Sequence, residues 1–584
     1  MSDRQAAGVA AALRGSRGLF IGVGLFSGVI NVLALTGAIY MLQVYDRVLT
    51  SRSVPTLVAL SILMVALFSA SGVLDLVRTR IMARIGLRVD EALRERVFDC
   101  LQKASLRGRN GDGLQPVRDL DRVRNFLSGI GPAALFDLPW IPVYITMIFL
   151  LHPLMGWFAV AGALLLVAIT LLTELLSKGP AIEAVRSASL RLTLAGAADR
   201  NAEVVRAMGL SPHLQKRWRA FSDLHLGDQL KASDAAGGMG VMSKIIRLLM
   251  QSGMLGLGAY LVLQNQVSAG AIIAGSIVMS RALAPIEIAI QHWRGFVESR
   301  QASHRLRELF AEAGDGGRQV TALPAPHRTL AVESLSVAPP GQTKPVISNV
   351  SFGLKAGEAI GIIGPSGSGK STLARALVGV WRPESGAGAV RLDGAALDQW
   401  QPDDLGRHIG YLPQDIQLFE GTVAQNIARL DEAAADAGIV AAAQEAGAHD
   451  MIVSLPDGYQ TRLGANGAGL SAGQRQRIAL ARALYGKPFL VVLDEPNSNL
   501  DSAGDAALSD AIRAIRERGG IAVVIAHRPA ALANIDKVMA MAGGRVQALG
   551  AKEDVLRKVL AAVPSAVVAP AAAGRTGTDR DGPA

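Results

Sequence analysis

Ala359-Ile-Gly-Ile-Ile-Gly364-Pro365-Ser366-Gly367-Ser368-Gly369-Lys370-Ser371-Thr372 decides the fold of the second half of this chain. The apolar run 359–363 reads as a buried strand, and the stretch from Thr372 to Val380 as a helix. The glycine-rich turn between them lets backbone N–H groups close around phosphates, and the helix N-terminus adds positive potential there. Lys370 is placed to neutralise the β and γ phosphates of a nucleotide, and the Ser371 hydroxyl to ligate magnesium. A bare glycine-rich strand-to-helix turn has the same spacing, so the reading needs a second motif.

Phe489-Leu-Val-Val-Leu-Asp494-Glu495 is that motif. It is continuously apolar, as a parallel strand covered on both faces is, and it ends in two carboxylates where such sheets collect ligands. Asp494 is placed to hold magnesium through water, and Glu495 to face the attacking water as general base or orienting group. A helix cap is the structural alternative, although Pro496 reads as the start of a turn. Leu470-Ser471-Ala472-Gly473-Gln474 carries two readings. Ser471 and Gln474 have the spacing of a capping box for a helix through Arg482, a complete structural account. The small residues also leave N–H groups open to an anion, and the residues alone do not separate the two. Around these motifs, residues 328–560 alternate short β-rich strands with amphipathic helices, the pattern of an α/β domain with a largely parallel sheet.

The first half has a different character. Of 584 residues, 50% are hydrophobic and 18% charged, and the mean hydropathy is +0.30, which excludes a disordered chain and points to a membrane protein. Six apolar runs are long enough to cross a bilayer: 19–44, 54–77, 133–151, 154–176, 245–263 and 269–290. The loops 78–132 and 177–244 are long and basic, so both loops and both termini belong in the cytoplasm. Helical spacing of Val89, Leu93, Val97 and Leu101, and of Val204, Val205, Met208 and Leu210, makes these loops helical continuations of the spans. The net charge of +10 then belongs to cytoplasmic loops, and no nucleic-acid partner is implied. Asp137 and Glu287, near span ends, read as paired or cavity-lining groups, with a substrate or proton site as the alternative. Pro139 and Pro142 predict a kink in the third span. The single cysteine, Cys100, excludes an intramolecular disulfide and a cysteine metal site, and reads as a packing residue. The organisation is a short cytoplasmic N-terminus (1–18), a membrane domain (19–310), a linker (311–327), the α/β domain (328–560) and a disordered tail (561–584).

In chain order, the loop at Gly364, Gln414 in Tyr411-Leu-Pro-Gln414-Asp415, the Leu470–Gln474 signature, Asp494-Glu495, Asn499-Leu500-Asp501 and His527 resemble the cassette of ATP-binding cassette (ABC) transporters. Six spans ahead of one cassette resemble an exporter half-transporter. The fold implied is an all-α six-helix transmembrane domain of the type I ABC exporter kind, followed by an α/β P-loop nucleotide-binding domain. More narrowly, Met41-Leu-Gln-Val-Tyr-Asp-Arg-Val-Leu49, Ser51-Arg-Ser-Val-Pro55, Phe136-Asp-Leu-Pro-Trp140 and Glu495-Pro-Asn-Ser-Asn-Leu-Asp501 resemble type I protein-secretion exporters of the metalloprotease and surface-layer-protein branch.

That resemblance implies ATP-driven export of an unfolded protein across the inner membrane, with ATP and Mg2+ as cofactors; a lipid or hydrophobic small-molecule exporter of the same fold is the alternative. It implies a homodimer with a periplasmic membrane-fusion adaptor, an outer-membrane channel and a secreted protein as partners. Gln414 would sense the γ phosphate and join Ser371 and Asp494 at the metal, His527 would contact the γ phosphate, and Asp501 would lie at the dimer interface. Docking helices are implied near 114–124 and 201–210. The cargo is expected to keep its signal, because 1–18 holds no cysteine or histidine for a leader peptidase. The chain departs from the family at Ala472, where glycine is usual, and in 332–345, where no aromatic stands and Ala338 takes the place of an adenine-stacking ring. A first-turn helical residue has negative φ, so alanine is expected to serve at 472.

Overall fold

The computed structural model describes residues 8–108, 113–313, 323–383, 386–464, 467–526 and 532–561. The chain divides into two compact units, 1–318 and 319–584. The expected tail lies outside the described residues from 562 on, as does 314–322 of the expected linker.

The first unit is helical. Its six apolar helical segments are Arg17–Ser51, Val54–Leu106, Gly131–Leu151, Pro153–Arg200, Ser211–Leu263 and Ala269–Gln291, spans one to six. The 53 residues of span two extend about 80 Å at 1.5 Å per residue, against a hydrocarbon core of about 30 Å. Spans two, four and five therefore continue well past the bilayer, as the spacing of their cytoplasmic residues predicts. Short helices stand at Val9–Gly15, Gln115–Leu127 and Ala202–Ala207. The last helix, Trp293–Ala313, enters the segment expected to be linker.

Span one departs from the single helix expected over 19–44. Helices Arg17–Leu33 and Thr36–Gln43 are followed by a π-helical turn, Val44–Val48. The cause of the first break is a side chain from span three. The Tyr144 hydroxyl donates to the Asn31 carbonyl at 2.9 Å, the acceptor that Leu35 N–H would use in an α-helix, and Leu35 N–H bonds to Val32 O instead. Span three is itself interrupted by a 3-10 turn at Leu138–Trp140, between Gly131–Asp137 and Ile141–Leu151. The two prolines account for that kink.

The acids near span ends are paired. Asp137 accepts from Arg78 at 3.1 Å and from Asn31 at 2.6 Å, and Glu287 lies 2.5 Å from Arg247. Beyond the bilayer, Val89, Leu93, Val97 and Cys100 pack against Leu120 and Val123 of Gln115–Leu127 and Leu306, Leu309 and Phe310 of the last helix. Cys100 is a buried packing residue there. At its edge Asp119, itself buried, accepts from Arg305 Nη2 at 2.7 Å and Nε at 2.8 Å.

The second unit has strands β1 (Thr329–Val337), β2 (Ile347–Lys355), β3 (Ala359–Ile363), β4 (Ala389–Leu392), β5 (Ala395–Ala396), β6 (Ile409–Leu412), β7 (Gly421–Thr422), β8 (Arg462–Leu463), β9 (Leu490–Asp494), β10 (Ile521–Ile525), β11 (Lys537–Ala542) and β12 (Arg545–Ala551). Six form the main sheet in the order β12-β11-β3-β10-β9-β6, parallel except for β12. A four-stranded antiparallel sheet, β2-β1-β4-β5, stands beside it, an element the alternating pattern does not predict. β9 and β10 are buried throughout, which is why they are continuously apolar. Ile362 pairs with Ile525, Ile525 with Asp494, and Leu412 with Leu493. The C-terminal ends of β3, β10, β9 and β6 therefore share one edge.

Candidate active site

The phosphate loop leaves β3 at that edge. Gly364 (φ +155°) and Gly369 (φ +94°) hold backbone that side chains disfavour. A Cβ at 364 would stand 2.2 Å from Met541 O, and one at 369 would meet Ile347 Cγ2 at 2.6 Å. The helix Lys370–Leu377 begins directly after the loop. Lys370 is buried, and its ammonium donates to Gly364 O at 2.9 Å and Pro365 O at 3.0 Å. Burial lowers its pKa, opposed by the charges of Glu495 and Asp494. Phosphate oxygens would give this cation stronger acceptors than the two loop carbonyls.

Asp494 ends β9 beneath the loop. The Ser371 hydroxyl donates to its Oδ1 at 3.3 Å, while its Oδ2 is buried with no hydrogen-bond partner among the described residues. Burial raises the pKa of this carboxyl, the Ser371 bond opposes the rise, and the Glu495 charge adds to it. A buried carboxylate oxygen in want of a cation, beside a serine hydroxyl, suits a divalent ion. Glu495 follows with φ +53°, a conformation uncommon for a side chain of its size, and its N–H donates to Ile525 O at 3.0 Å. Strain of this kind gathers at functional sites, and here it re-aims the carboxylate as the strand ends.

Ser471 caps the helix Ala472–Leu484 with both bonds of a capping box: Gln474 N–H to Ser471 Oγ at 3.2 Å and Ser471 N–H to Gln474 Oε1 at 2.8 Å. Ala472 is the first helical residue and exposed, where a methyl group is harmless. Gly473 is different, because a Cβ there would approach Asn499 O at 2.9 Å. Gln476, which sequence reasoning passed over, ties this helix to the turn after Glu495. Its buried amide donates to Pro496 O and accepts from Asn499 N–H at 3.0 Å. Its signal was a lone amide on a stripe with Ala479, Leu480 and Ala483, all buried.

Gln414 lies exposed in a bend two residues past β6. Asp501 caps the helix Ser502–Glu517 through Gly504 N–H at 2.8 Å and pairs with Arg477 at 2.5 Å. The Gly504 bond and then the Arg477 bond hold its carboxyl below the usual range. Ala338 directly follows β1 and is partly buried. His527 lies outside the described residues; Ala526, just before it, donates to Ile362 O at 3.2 Å. The structure thus gathers the phosphate loop, Lys370, Ser371, Asp494 and Glu495, and ties the signature helix to Glu495's turn through Gln476.

A phosphate loop after a central parallel strand, with a buried aspartate and a glutamate at the end of the next strand but one, defines a P-loop ATPase. Residues 347–498 match the model of the ABC transporter family, and residues 20–283 match that of the ABC transporter transmembrane region. The chain is 52% identical, over 94% of both chains, to the type I secretion system ATP-binding protein PrsD of Rhizobium meliloti (strain 1021). It is 29% identical to the cyclolysin secretion/processing ATP-binding protein CyaB of Bordetella pertussis, over 91% of this chain and 75% of that one. A solved structure of a bacterial Atm1-family ABC exporter with ATP bound superposes with a TM-score of 0.81 at 23% identity, covering 93% of this chain and 96% of the other; this likeness concerns the fold. The chain belongs to the ABC transporters, and within them to the ATP-binding proteins of type I secretion systems. It is a multi-pass inner-membrane transport ATPase with its ATPase domain in the cytoplasm.

Proposed function

We propose that this chain drives an unfolded protein out across the inner membrane as the ABC component of a type I secretion system. The observation that carries the reading is the 52% identity to PrsD along nearly the whole of both chains. The working unit is a homodimer. One chain has one phosphate loop and one signature, so each ATP lies between Gly364–Thr372 of one subunit and the Ser471–Gln474 segment of the other. A periplasmic adaptor and an outer-membrane channel complete the route.

At each site Lys370 and the loop N–H groups bind the phosphates, and Glu495 orients the attacking water and takes its proton. Ser371, Asp494 and Gln414 would hold Mg2+, a fit supported by the unpartnered Asp494 Oδ2. When bound, the ion neutralises charge on the β and γ phosphates. His527 contacts the γ phosphate, and Asp501, besides capping its own helix, serves the subunit interface.

The test is a deletion strain complemented with the wild-type chain or Glu495→Gln. Secreted protein should vanish on deletion, return with the wild type and stay absent with the variant. Unchanged secretion after deletion, with purified protein stimulated by lipid and not by polypeptide, would replace this reading with lipid export.

A further inference from the structure

Span six carries an arginine at its centre. Arg281 lies about 18 Å along the helix from Ala269 and about 15 Å from Gln291, at 1.5 Å per residue. Of the described residues 270–290 it alone is exposed. Ile273, Ile277, Ala284 and Ile288 flank it on the same face and are half-buried. A helical side chain leans toward its helix N-terminus, which for span six is the periplasmic end, so Arg281 leans toward the bilayer centre rather than the nearer cytoplasmic surface. A guanidinium facing lipid at this depth is costly, and such groups face a bundle interior or a water-filled path.

Arg281 makes no hydrogen bond or ion pair with a described residue. The acids that could neutralise it are all engaged. Asp46 accepts from Ser268 and Gly270 N–H, Asp75 and Asp137 pair with Arg78, Glu174 with Arg300 and Glu287 with Arg247. Asp75, Asp137, Glu174 and Glu287 are the only carboxylates in the six apolar runs, and Asp46 lies two residues past the first. A second, identical copy brings the same acids in the same pairs. Lipid phosphates lie at the edges of the hydrocarbon core, so a carboxylate carried through the path is the counter-charge best matched to Arg281.

We infer that Arg281 is a cargo-binding site in the translocation path, recognising side-chain carboxylates of the exported polypeptide and favouring acidic segments. The inference rests on the protein-export reading above. Full-length protein in lipid nanodiscs, titrated with unstructured 30-residue peptides of Glu/Gly/Ser, Lys/Gly/Ser or Gly/Ser composition, tests it by fluorescence anisotropy. The wild type should bind the acidic peptide about tenfold tighter than the neutral one, as for a charge pair in a confined path. Arg281→Lys should keep most of that preference, Arg281→Gln should abolish it, and Arg281→Glu should shift it to the lysine peptide. If Arg281→Glu does not fold, the Lys and Gln variants decide. An unchanged acidic-to-neutral ratio in Arg281→Gln overturns the inference while leaving protein export standing. Binding of no peptide overturns both, and a preference that follows anionic lipid content assigns Arg281 to headgroups instead.

Discussion

Ser371 Oγ and Asp494 Oδ1, 123 residues apart in sequence, stand 3.3 Å from one another and join the phosphate-loop helix to the end of β9. The other oxygen of Asp494 is buried without a partner among the described residues, so the fold carries a carboxylate that suits a cation.

Asp494→Asn should therefore stabilise the nucleotide-free protein while abolishing hydrolysis. Removing a buried carboxylate whose desolvation outweighs the opposing Ser371 bond and Arg375 and Lys370 charges is expected to raise the thermal midpoint at neutral pH. The sign with pH follows from the raised pKa. The folded state holds its proton more tightly than the unfolded state, so wild-type stability falls as pH rises from the ordinary carboxylate range through the folded pKa. The variant's advantage should shrink on acidification, and Mg–ATP should stabilise the wild type more than the variant.

Glu495→Gln and Lys370→Ala should separate binding from turnover. The first is expected to cut turnover by about 10²- to 10⁴-fold with ATP affinity nearly unchanged, because an orienting base acts on the transition state. Lys370→Ala removes a buried ammonium from the phosphates and should weaken ATP binding about 10- to 100-fold, the scale of one charged hydrogen bond. Equilibrium binding beside steady-state hydrolysis checks both, and equal losses of affinity would refute the division.

The signature helix should tolerate change at one residue and not at its neighbour. Ala472→Gly should leave hydrolysis near wild type, since position 472 is exposed. Gly473→Ala should impair it, since the new methyl group would meet Asn499 O at 2.9 Å. Gln476→Leu should destabilise by about 1–3 kcal/mol, because Pro496 O and Asn499 N–H lose their buried partner. Chemical unfolding with parallel ATPase assays reads all three.

Asp119→Ala should cost about 1–3 kcal/mol, because it takes the two-nitrogen contact from Arg305 while that guanidinium stays partly solvated. The reversed pair, Asp119→Arg with Arg305→Asp, should recover part of that loss. A double-mutant cycle by thermal unfolding would show no coupling if the pair were incidental.

Much of the site was legible because its chemistry is written locally. The phosphate loop, the strand ending in Asp494-Glu495 and the Ser471–Gln474 box each depend on residues within one turn or strand end, where spacing and side-chain type decide the outcome. The long cytoplasmic helices and the kink at Pro139 and Pro142 were legible for the same reason. The breaks in span one were not, since the first is made by the Tyr144 hydroxyl reaching Asn31 O. Nor were the antiparallel sheet and the tie through Gln476, each settled by partners distant along the chain. By itself the sequence determined the spans, the nucleotide chemistry and the family. Only the tertiary structure decided which polar groups find partners among the described residues and which, like Asp494 Oδ2, do not, because pairing is a property of distances that periodicity and motif spacing do not contain.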